Sequence, residues 1–270
     1  MIRSIIVEDD PGHAARLERL LGNHGEGVEI MEICGDIETA AAAISRFSPE
    51  LVFLDIELDA GTGFDLLKKI EDVNFDVIFT TNHINRYIRD IRICGLTYLP
   101  KPIDSSELAE ALQKFKNKNG YGTRKEQVLS LKENLSTENP GHRSIWINNS
   151  KNNYVPVEAR NIVYCTSKNQ YTHFFIQEDN IEKLAIMHEL GLNKEPDGTV
   201  RWVSSNGIGE WEDTLEHYGF CRVHNSTIVN LLHVLRYTKE DGDMLHLSCG
   251  ANVPMSRERK KKFLALAGLR

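Results

Sequence analysis

The chain has 270 residues, of which 41% are hydrophobic and 26% charged, with a formal net charge of −7 at pH 7. This length is sufficient for two domains that each bury a core. No apolar run approaches the ~20 residues of a membrane-spanning helix, so we expect no membrane association. The five cysteines lack the spacing of a metal site, and the first ten residues lack the features of a signal peptide. We therefore expect a cytoplasmic protein with reduced thiols.

Residues 1–118 alternate between apolar runs and helical patterns. Four of the runs predict strands: Ile5–Val7, Leu51–Leu54, Asp76–Phe79 and Leu96–Leu99. Helical patterns lie at 14–21, 37–47, 64–70, 84–94 and 105–116. The alternation predicts a doubly wound domain in which five strands form a parallel sheet. The carboxyl ends of such strands share one edge, where ligands bind.

Polar side chains follow the apolar runs at the points where the strands should end. They are Glu8, Asp9, Asp55, Thr81 and Lys101. Clustered carboxylates repel one another unless a cation lies among them, and an all-oxygen site suits Mg²⁺. An aspartate can also attack phosphorus and form an aspartyl phosphate. We therefore expect Asp55 to be the nucleophile, Glu8 and Asp9 to hold the metal, and Lys101 and Thr81 to contact the phosphoryl group. Any one of these acids taken alone could simply be a solvated residue at a strand end.

These motifs resemble the receiver domain of bacterial two-component response regulators. The resemblance rests on Val7–Pro11, Leu54-Asp55, Gly63, Phe79–Thr81 and Lys101-Pro102, in that order. It implies a flavodoxin-like fold, transfer of a phosphoryl group from a sensor histidine kinase to Asp55, and a requirement for Mg²⁺. It further implies a cis Lys101-Pro102 bond, a switch role for Tyr98 and a metal contact from the backbone carbonyl of Glu57.

Three residues depart from the usual receiver pattern: Asp59, Asn82 and Pro100. They leave the lifetime of the phosphoryl group open. Haloacid-dehalogenase-type phosphatases are a rival interpretation, because they also use a strand-end aspartate with Mg²⁺. Their second aspartate, two residues after the first, is Glu57 in this chain.

Residues 119–142 are polar, contain glycine and proline, and predict a linker that could include a short helix. Residues 143–270 then predict a mainly β domain with a helix at 208–218 and a basic helix at 256–269. Its predicted strands are 145–147, 154–157, 162–165, 171–176, 200–203, 234–238 and 244–248. An amphipathic insertion at about 178–199 has no assigned role.

Two segments of this domain carry most of the functional information. Phe220–Asn230 is interpreted as a polar turn leading into a helix-like segment capped by Ser226. Val253–Lys262 opens the last helix, with Ser256 as its predicted N-cap. Both segments resemble the LytTR-type DNA-binding domain, which inserts loop residues into successive major grooves, and the resemblance covers about 143–269.

Carried over to this chain, the resemblance implies DNA contacts from loops at 167–173, 222–227 and 255–261. Asn225 and Arg257 are the candidates for bases, since Asn suits adenine and Arg suits guanine. The candidates for phosphates are Lys168, Arg222, Lys260 and Lys261, while Tyr171 or His173 could reach DNA from the first loop. His224 is expected to pack or cap rather than to bind.

The chain is thus predicted to be a response regulator that is phosphorylated on Asp55, binds promoter DNA and regulates transcription. It is expected to turn over no small molecule, and to form a homodimer through about 84–112 when phosphorylated. A module that binds RNA or protein is the alternative.

Overall fold

The computed structural model describes residues 1–24, 27–82, 88–116, 124–149, 154–177, 192, 194–239 and 242–268. It divides into two compact units, Met1–Ser136 and Thr137–Arg270, which we describe separately. Within the described residues, none of the helices has the length and apolar character needed to cross a membrane.

The first unit is built on a parallel sheet of five strands in the order β2-β1-β3-β6-β7. Its strands are β1 (Ile2–Val7), β2 (Val28–Cys34), β3 (Leu51–Asp55), β4 (Glu57–Leu58), β5 (Gly61–Thr62), β6 (Asp76–Thr81) and β7 (Thr97–Pro100). The two short strands β4 and β5 form a separate antiparallel hairpin. The predicted α/β fold is confirmed, and β2 is the fifth strand, to which the sequence patterns had assigned no residues.

Six helices complete this unit in the part of it that the structure describes. They are α1 (Pro11–His24), α2 (Ile37–Phe47), α3 (Gly63–Lys69), α4 (Ile88–Ile93), α5 (Ser105–Lys116) and α6 (Arg124–Ser136). Asp36 is the N-cap of α2, and its side chain accepts hydrogen bonds from the backbone N–H groups of Glu38 and Thr39. The first part of the predicted fourth helix, 84–87, lies outside the described residues.

The central strands explain why continuous apolar runs predicted this sheet. Leu51, Val52, Phe53 and Leu54 of β3 are all fully buried, because helices cover both faces of the sheet. Residues of β1, β3, β6, α1 and α5 pack into one apolar cluster around Phe53. The sheet is therefore a rigid platform, and the residues at the carboxyl ends of its strands are held by buried neighbours.

Helix α6 lies in the range that the sequence assigned to the linker, and it packs against the rest of the first unit. Val128 and Leu131 are fully buried, and the helix contacts β6, α3 and α4. Gln127 Nε2 donates to the Gly95 carbonyl at 3.4 Å, and Lys132 Nζ donates to the Ile70 carbonyl at 2.6 Å. The predicted boundaries at 118 and 143 stay predictions, and the short helix that the sequence allowed within this range is α6, Arg124–Ser136.

Replacing Leu131 with alanine is expected to lower the free energy of unfolding of the first unit by ~2–5 kcal/mol, the usual cost of removing a fully buried leucine side chain. Leu129→Ala on the same helix removes a half-buried side chain and should cost clearly less. Chemical denaturation followed by far-UV circular dichroism measures both variants. Equal and small effects would mean that α6 does not contribute to the core of this unit.

The second unit is mainly β, as predicted. Its elements are β8 (Ser144–Asn148), β9 (Tyr154–Glu158), β10 (Ile162–Lys168), β11 (Tyr171–Ile176), β12 (Val200–Ser204), α7 (Ile208–Leu215), β13 (Phe220–His224), β14 (Thr227–Asn230), β15 (Val234–Thr238), β16 (Met244–Leu247), β17 (Asn252–Pro254) and α8 (Arg257–Leu266). They form antiparallel sheets in the orders β12-β11-β10-β14-β13, β15-β16-β17 and β8-β9. Most of the predicted insertion, 178–191 and 193, lies outside the described residues.

One predicted element is wrong. The segment after the turn at Asn225-Ser226 was expected to be helical, but it is strand β14, which pairs with β13 so that His224 lies opposite Thr227. All four residues of β14 are buried, and Ile228 and Val229 are β-branched residues that suit a strand. Ser226 consequently lies in a hairpin turn and caps no helix.

Candidate functional site

The strand ends of the first unit bring the predicted polar residues together. Glu8 and Asp9 follow β1, Asp55 ends β3, Thr81 ends β6 and Lys101 follows β7. Oxygen atoms of the three carboxylates lie within 4.8 Å of one another. We call these five residues the receiver pocket. The parallel topology alone accounts for this convergence, because all four strands end at the same edge.

Lys101 is the central cation of the receiver pocket. Its Nζ atom lies 2.5 Å from Glu8 Oε2 and 2.5 Å from Asp55 Oδ2, and its side chain is only 3% exposed. The Lys101-Pro102 peptide is cis, and the Lys101 backbone N–H donates to the Thr81 carbonyl at 2.8 Å. A buried ammonium is tolerated here because two carboxylates accept its hydrogen bonds.

Glu8 has an unusual electrostatic environment. Burial raises the pKa of its carboxyl group above the ordinary value, and the nearby charge of Asp55 acts in the same direction, while the hydrogen bond from Lys101 opposes both. Its Oε1 atom is buried and has no hydrogen-bond partner among the described residues. A buried carboxylate oxygen that accepts no hydrogen bond, beside two further acids, is the kind of oxygen donor that a hard divalent cation prefers. The residues present therefore fit Mg²⁺.

The loop after β3 folds back onto the receiver pocket. The Glu57 backbone N–H donates to Asp55 Oδ1 at 3.1 Å, and the Asp59 backbone N–H donates to Asp9 Oδ2 at 2.8 Å. Asp59 thus orients a pocket carboxylate through its backbone, and not through the side chain that departs from the family pattern. Asn82 is exposed next to Thr81, and Pro100 pairs with Thr81 in the sheet.

Two residues that contact predicted site residues were missed from the sequence. His13 Nδ1 lies 3.4 Å from Glu8 Oε1, an ion pair only when the ring is protonated, and 3.3 Å from Lys101 Nζ. Arg92 donates to the Tyr98 hydroxyl at 2.5 Å, and its guanidinium lies 5.4 Å from the centre of the tyrosine ring. No sequence signal identified either residue, since both contacts join separate elements of the fold. Tyr98 is half-buried, and its outer edge is held by Arg92.

In the second unit, the first predicted loop lies between β10 and β11. Lys168 at the end of β10 is exposed and pairs with Tyr171 across the hairpin. His173 is half-buried, and this burial lowers its pKa, with the positive charges of Arg201 and Lys168 acting in the same direction. The lowered pKa favours the neutral ring of His173, which can both donate and accept a hydrogen bond.

The second predicted loop is the turn between β13 and β14. Asn225 at its tip is exposed. Arg222, in contrast, is turned inward: its Nη1 atom lies 2.5 Å from Glu212 Oε2, and it also donates to the carbonyls of His224 and Asn225. His224 accepts a hydrogen bond from the Ser226 backbone N–H at 3.3 Å and is half-buried, in line with a packing role.

The third predicted loop leads into α8. Arg257 and Lys261 are exposed, whereas Lys260 Nζ lies 2.7 Å from Asp243 Oδ1. Ser256 occupies the predicted N-cap position, but its Oγ atom makes no capping hydrogen bond and has no hydrogen-bond partner among the described residues. The structure thus separates the predicted DNA contacts into exposed groups and groups that already pair with an acid.

Comparison with known proteins assigns both units. The family profile of the response regulator receiver domain matches residues 5–113, and that of the LytTr DNA-binding domain matches residues 199–268. The sensory transduction protein LytR of Staphylococcus haemolyticus is 23% identical over 276 residues, which cover 99% of this chain and 100% of that protein. The sensory transduction protein LytT of Bacillus subtilis is 22% identical, covering 98% and 99%.

A solved structure, a DNA-binding response regulator of the LuxR family from Staphylococcus aureus, is 28% identical with a TM-score of 0.38, covering 43% of this chain and 100% of that one. The two family profiles and the full-length relatives agree in chain order with the two units described above. The chain therefore belongs to the two-component response regulators that join a receiver domain to a LytTR DNA-binding domain and regulate transcription.

Proposed function

We propose that Asp55 is the phosphoryl acceptor of this regulator and that a sensor histidine kinase is the donor. A carboxylate oxygen of Asp55 attacks phosphorus, the P–N bond to the kinase histidine breaks, and the imidazole nitrogen keeps the electron pair and takes up a proton. The observation that carries the proposal is the buried Lys101 ammonium, 2.5 Å from Asp55 Oδ2. This charge is placed to pair with the oxygens of an incoming phosphoryl group.

The metal that this chemistry requires is Mg²⁺, which the carboxylates of Glu8, Asp9 and Asp55 and the backbone carbonyl of Glu57 would hold. Its contribution when bound is to neutralise charge on the phosphoryl oxygens. The support comes from the carboxylate cluster and from the buried oxygen of Glu8 that accepts no hydrogen bond. Lys101, which pairs with two of these acids, would then share them with the cation.

Phosphorylation is proposed to act through Thr81 and Tyr98. The buried Thr81 hydroxyl would move to a phosphoryl oxygen, and Tyr98 would rotate into the space it leaves. That rotation would break the hydrogen bond from Arg92 to the Tyr98 hydroxyl, so Arg92 favours the outward position. A homodimer formed through about 84–112 and a cytoplasmic location stay predictions, as does the absence of turnover of a small molecule.

For DNA recognition we propose that Asn225 and Arg257 contact bases, and that Lys168 and Lys261 contact phosphates. All four side chains are exposed, and they come from the three loops of the second unit. Tyr171 and His173 are half-buried and would contribute from the side of the first loop. Arg222 and Lys260 can reach a phosphate only by leaving the carboxylates of Glu212 and Asp243.

Replacing Arg257 with alanine is expected to weaken binding of the specific operator by roughly 1–3 kcal/mol, the usual contribution of a bidentate arginine–guanine contact. The operator is first selected from random duplexes with the full-length protein, and affinities are then measured by fluorescence anisotropy. Arg236→Ala removes an exposed arginine of β15, outside the three loops, and should leave affinity unchanged. Equal affinities for wild type and Arg257→Ala would remove Arg257 from the base contacts.

A further inference from the structure

Glu212 connects two of the proposed DNA-binding loops. Its Oε2 atom lies 2.5 Å from Arg222 Nη1, and its Oε1 atom lies 2.9 Å from Arg259 Nη1. Arg222 belongs to β13 and Arg259 to α8, so one carboxylate on α7 bridges elements that carry different loops. The side chains of Glu212 and Arg222 are 17% and 15% exposed, which makes this a partly buried ion pair and not a surface contact.

All three guanidinium nitrogens of Arg222 make polar contacts within the protein. Besides the bond to Glu212, its Nε atom donates to the His224 carbonyl at 3.3 Å and its Nη2 atom donates to the Asn225 carbonyl at 2.5 Å. Both carbonyls belong to the turn that presents Asn225. The planar, rigid fork of an arginine fixes the two carbonyls relative to the carboxylate in a way that the flexible ammonium of lysine does not. Arg222 therefore shapes the turn.

Arg259 and the start of α8 are fixed to the same frame. The Ser256 backbone N–H donates to the Val223 carbonyl of β13 at 2.8 Å, and Phe263 of α8 is buried in the core cluster of this unit. The ion pair between Arg259 and Glu212 adds a second connection, two residues beyond Arg257. The first turn of α8 is thereby held against β13.

We infer that Glu212 is a positioning residue for DNA recognition. Its carboxylate holds Arg222 and Arg259 in place and so fixes the Asn225 turn relative to Arg257. In this role Arg222 supports a base-contacting residue and makes no phosphate contact, contrary to the expectation from sequence. The inference rests on the proposed function of Asn225 and Arg257 as base contacts. It assigns a specificity-determining role to a helix outside the three loops.

The two roles of Arg222 predict different salt dependences. Each phosphate contact steepens the slope of log K against log salt concentration by about 0.9, because binding releases a counterion. A positioning residue makes no phosphate contact and so contributes nothing to that slope, but its loss misplaces the base contact. Arg222→Lys, which keeps the charge and loses the fork, should therefore lower the ratio of specific to nonspecific affinity about tenfold. Arg222→Ala removes the charge, so it should keep the wild-type slope if Arg222 positions the turn and lose about 0.9 from the slope if Arg222 contacts a phosphate.

The experiment measures anisotropy of the selected operator and of a scrambled duplex over a range of salt concentrations, with the full-length protein. Glu212→Gln should also reduce the specificity ratio about tenfold, with an unchanged slope. Asp213→Asn, the loss of an exposed carboxylate from the same helix, is the matched control and should leave both quantities unchanged. Lys261→Ala should reduce the slope by about 0.9 and leave the ratio unchanged, which calibrates a true phosphate contact.

A wild-type specificity ratio in both Glu212→Gln and Arg222→Lys would overturn the inference, as would an Arg222→Ala variant whose slope falls like that of Lys261→Ala. Thermal unfolding identifies a variant that fails to fold. If Glu212→Gln does not fold, the specificity ratio of Arg222→Lys decides the question. Loss of specificity in Arg257→Ala together with wild-type behaviour of Glu212→Gln and Arg222→Lys would refute the positioning role alone. Wild-type specificity in Arg257→Ala and Asn225→Ala would refute the proposed base contacts themselves.

Discussion

Replacing Asp55 with asparagine is expected to abolish labelling of the protein by acetyl phosphate. The amide has no anionic oxygen to attack phosphorus, and its nitrogen is a poor nucleophile, so no acyl phosphate can form. The substitution also leaves Lys101 with Glu8 as its one carboxylate partner within 2.5 Å among the residues described. The loss should be complete, because the other two acids of the receiver pocket are assigned to the metal. Intact-protein mass spectrometry measures the gain of one phosphoryl group.

The matched control is Asp59→Asn. Asp59 is an exposed carboxylate on the same loop that contacts the pocket through its backbone N–H, and this contact survives the substitution. Labelling should therefore persist in Asp59→Asn and disappear from wild type when the divalent cation is chelated. Undiminished labelling of Asp55→Asn would show that another residue accepts the phosphoryl group.

Gly63→Ala is expected to destabilise the receiver unit strongly. A Cβ atom at this position would lie 2.3 Å from the backbone oxygen of Asp55 and 2.8 Å from Leu54 Cγ. Both neighbours belong to the buried central strand β3, so neither can move away without disturbing the sheet. Overpacking of this kind usually costs 1–3 kcal/mol, and we expect a loss of about 3 kcal/mol or more because a backbone atom is the obstacle.

Gly22→Ala is the control for this prediction. Gly22 lies within α1, and the Cβ of an alanine there would have no neighbouring atom within 4 Å, so the substitution should stabilise the helix by roughly 0.5–1 kcal/mol. Denaturation is followed by far-UV circular dichroism. All three tryptophans, Trp146, Trp202 and Trp211, belong to the second unit, so their emission reports that unit separately. A Gly63→Ala protein as stable as wild type would contradict the steric argument.

The elements that sequence patterns predicted best are those whose burial is uniform. The apolar run Leu51–Leu54 is buried on both faces, so its pattern leaves little choice but a central strand. Strand β2 was not predicted because it lies at the sheet edge, where Glu29 and Glu32 interrupt its apolar residues. Helix α6 was expected only as a short helix within a linker, and its packing against the rest of the first unit was missed. Its buried face includes Gln127 and Asn134, whose hydrogen-bond partners Gly95 and Cys94 lie far away in the sequence.

The receiver pocket was predictable because topology brings strand ends together, whatever the details of the loops. The surface for DNA was less predictable, since the side-chain partners come from elsewhere in the chain. Arg222 and Lys260 look like free cations in the sequence, but Glu212 of α7 and Asp243 before β16 pair with them. A basic residue in a sequence motif says nothing about which acid the fold will place beside it.

The packing of α6 has a consequence for exchanging parts between regulators of this kind. A hybrid joined within 117–123 would separate α6 from α3 and α4, and it would expose the surface of the donor receiver that Val128 and Leu131 cover. The transplanted helix would meanwhile carry its apolar side chains without a partner, which favours aggregation. A junction after Ser136 avoids both problems, because α6 is then transferred together with the rest of the first unit. The segment to be exchanged is thus Met1–Ser136, which extends well beyond the last residue of the receiver pocket, Lys101.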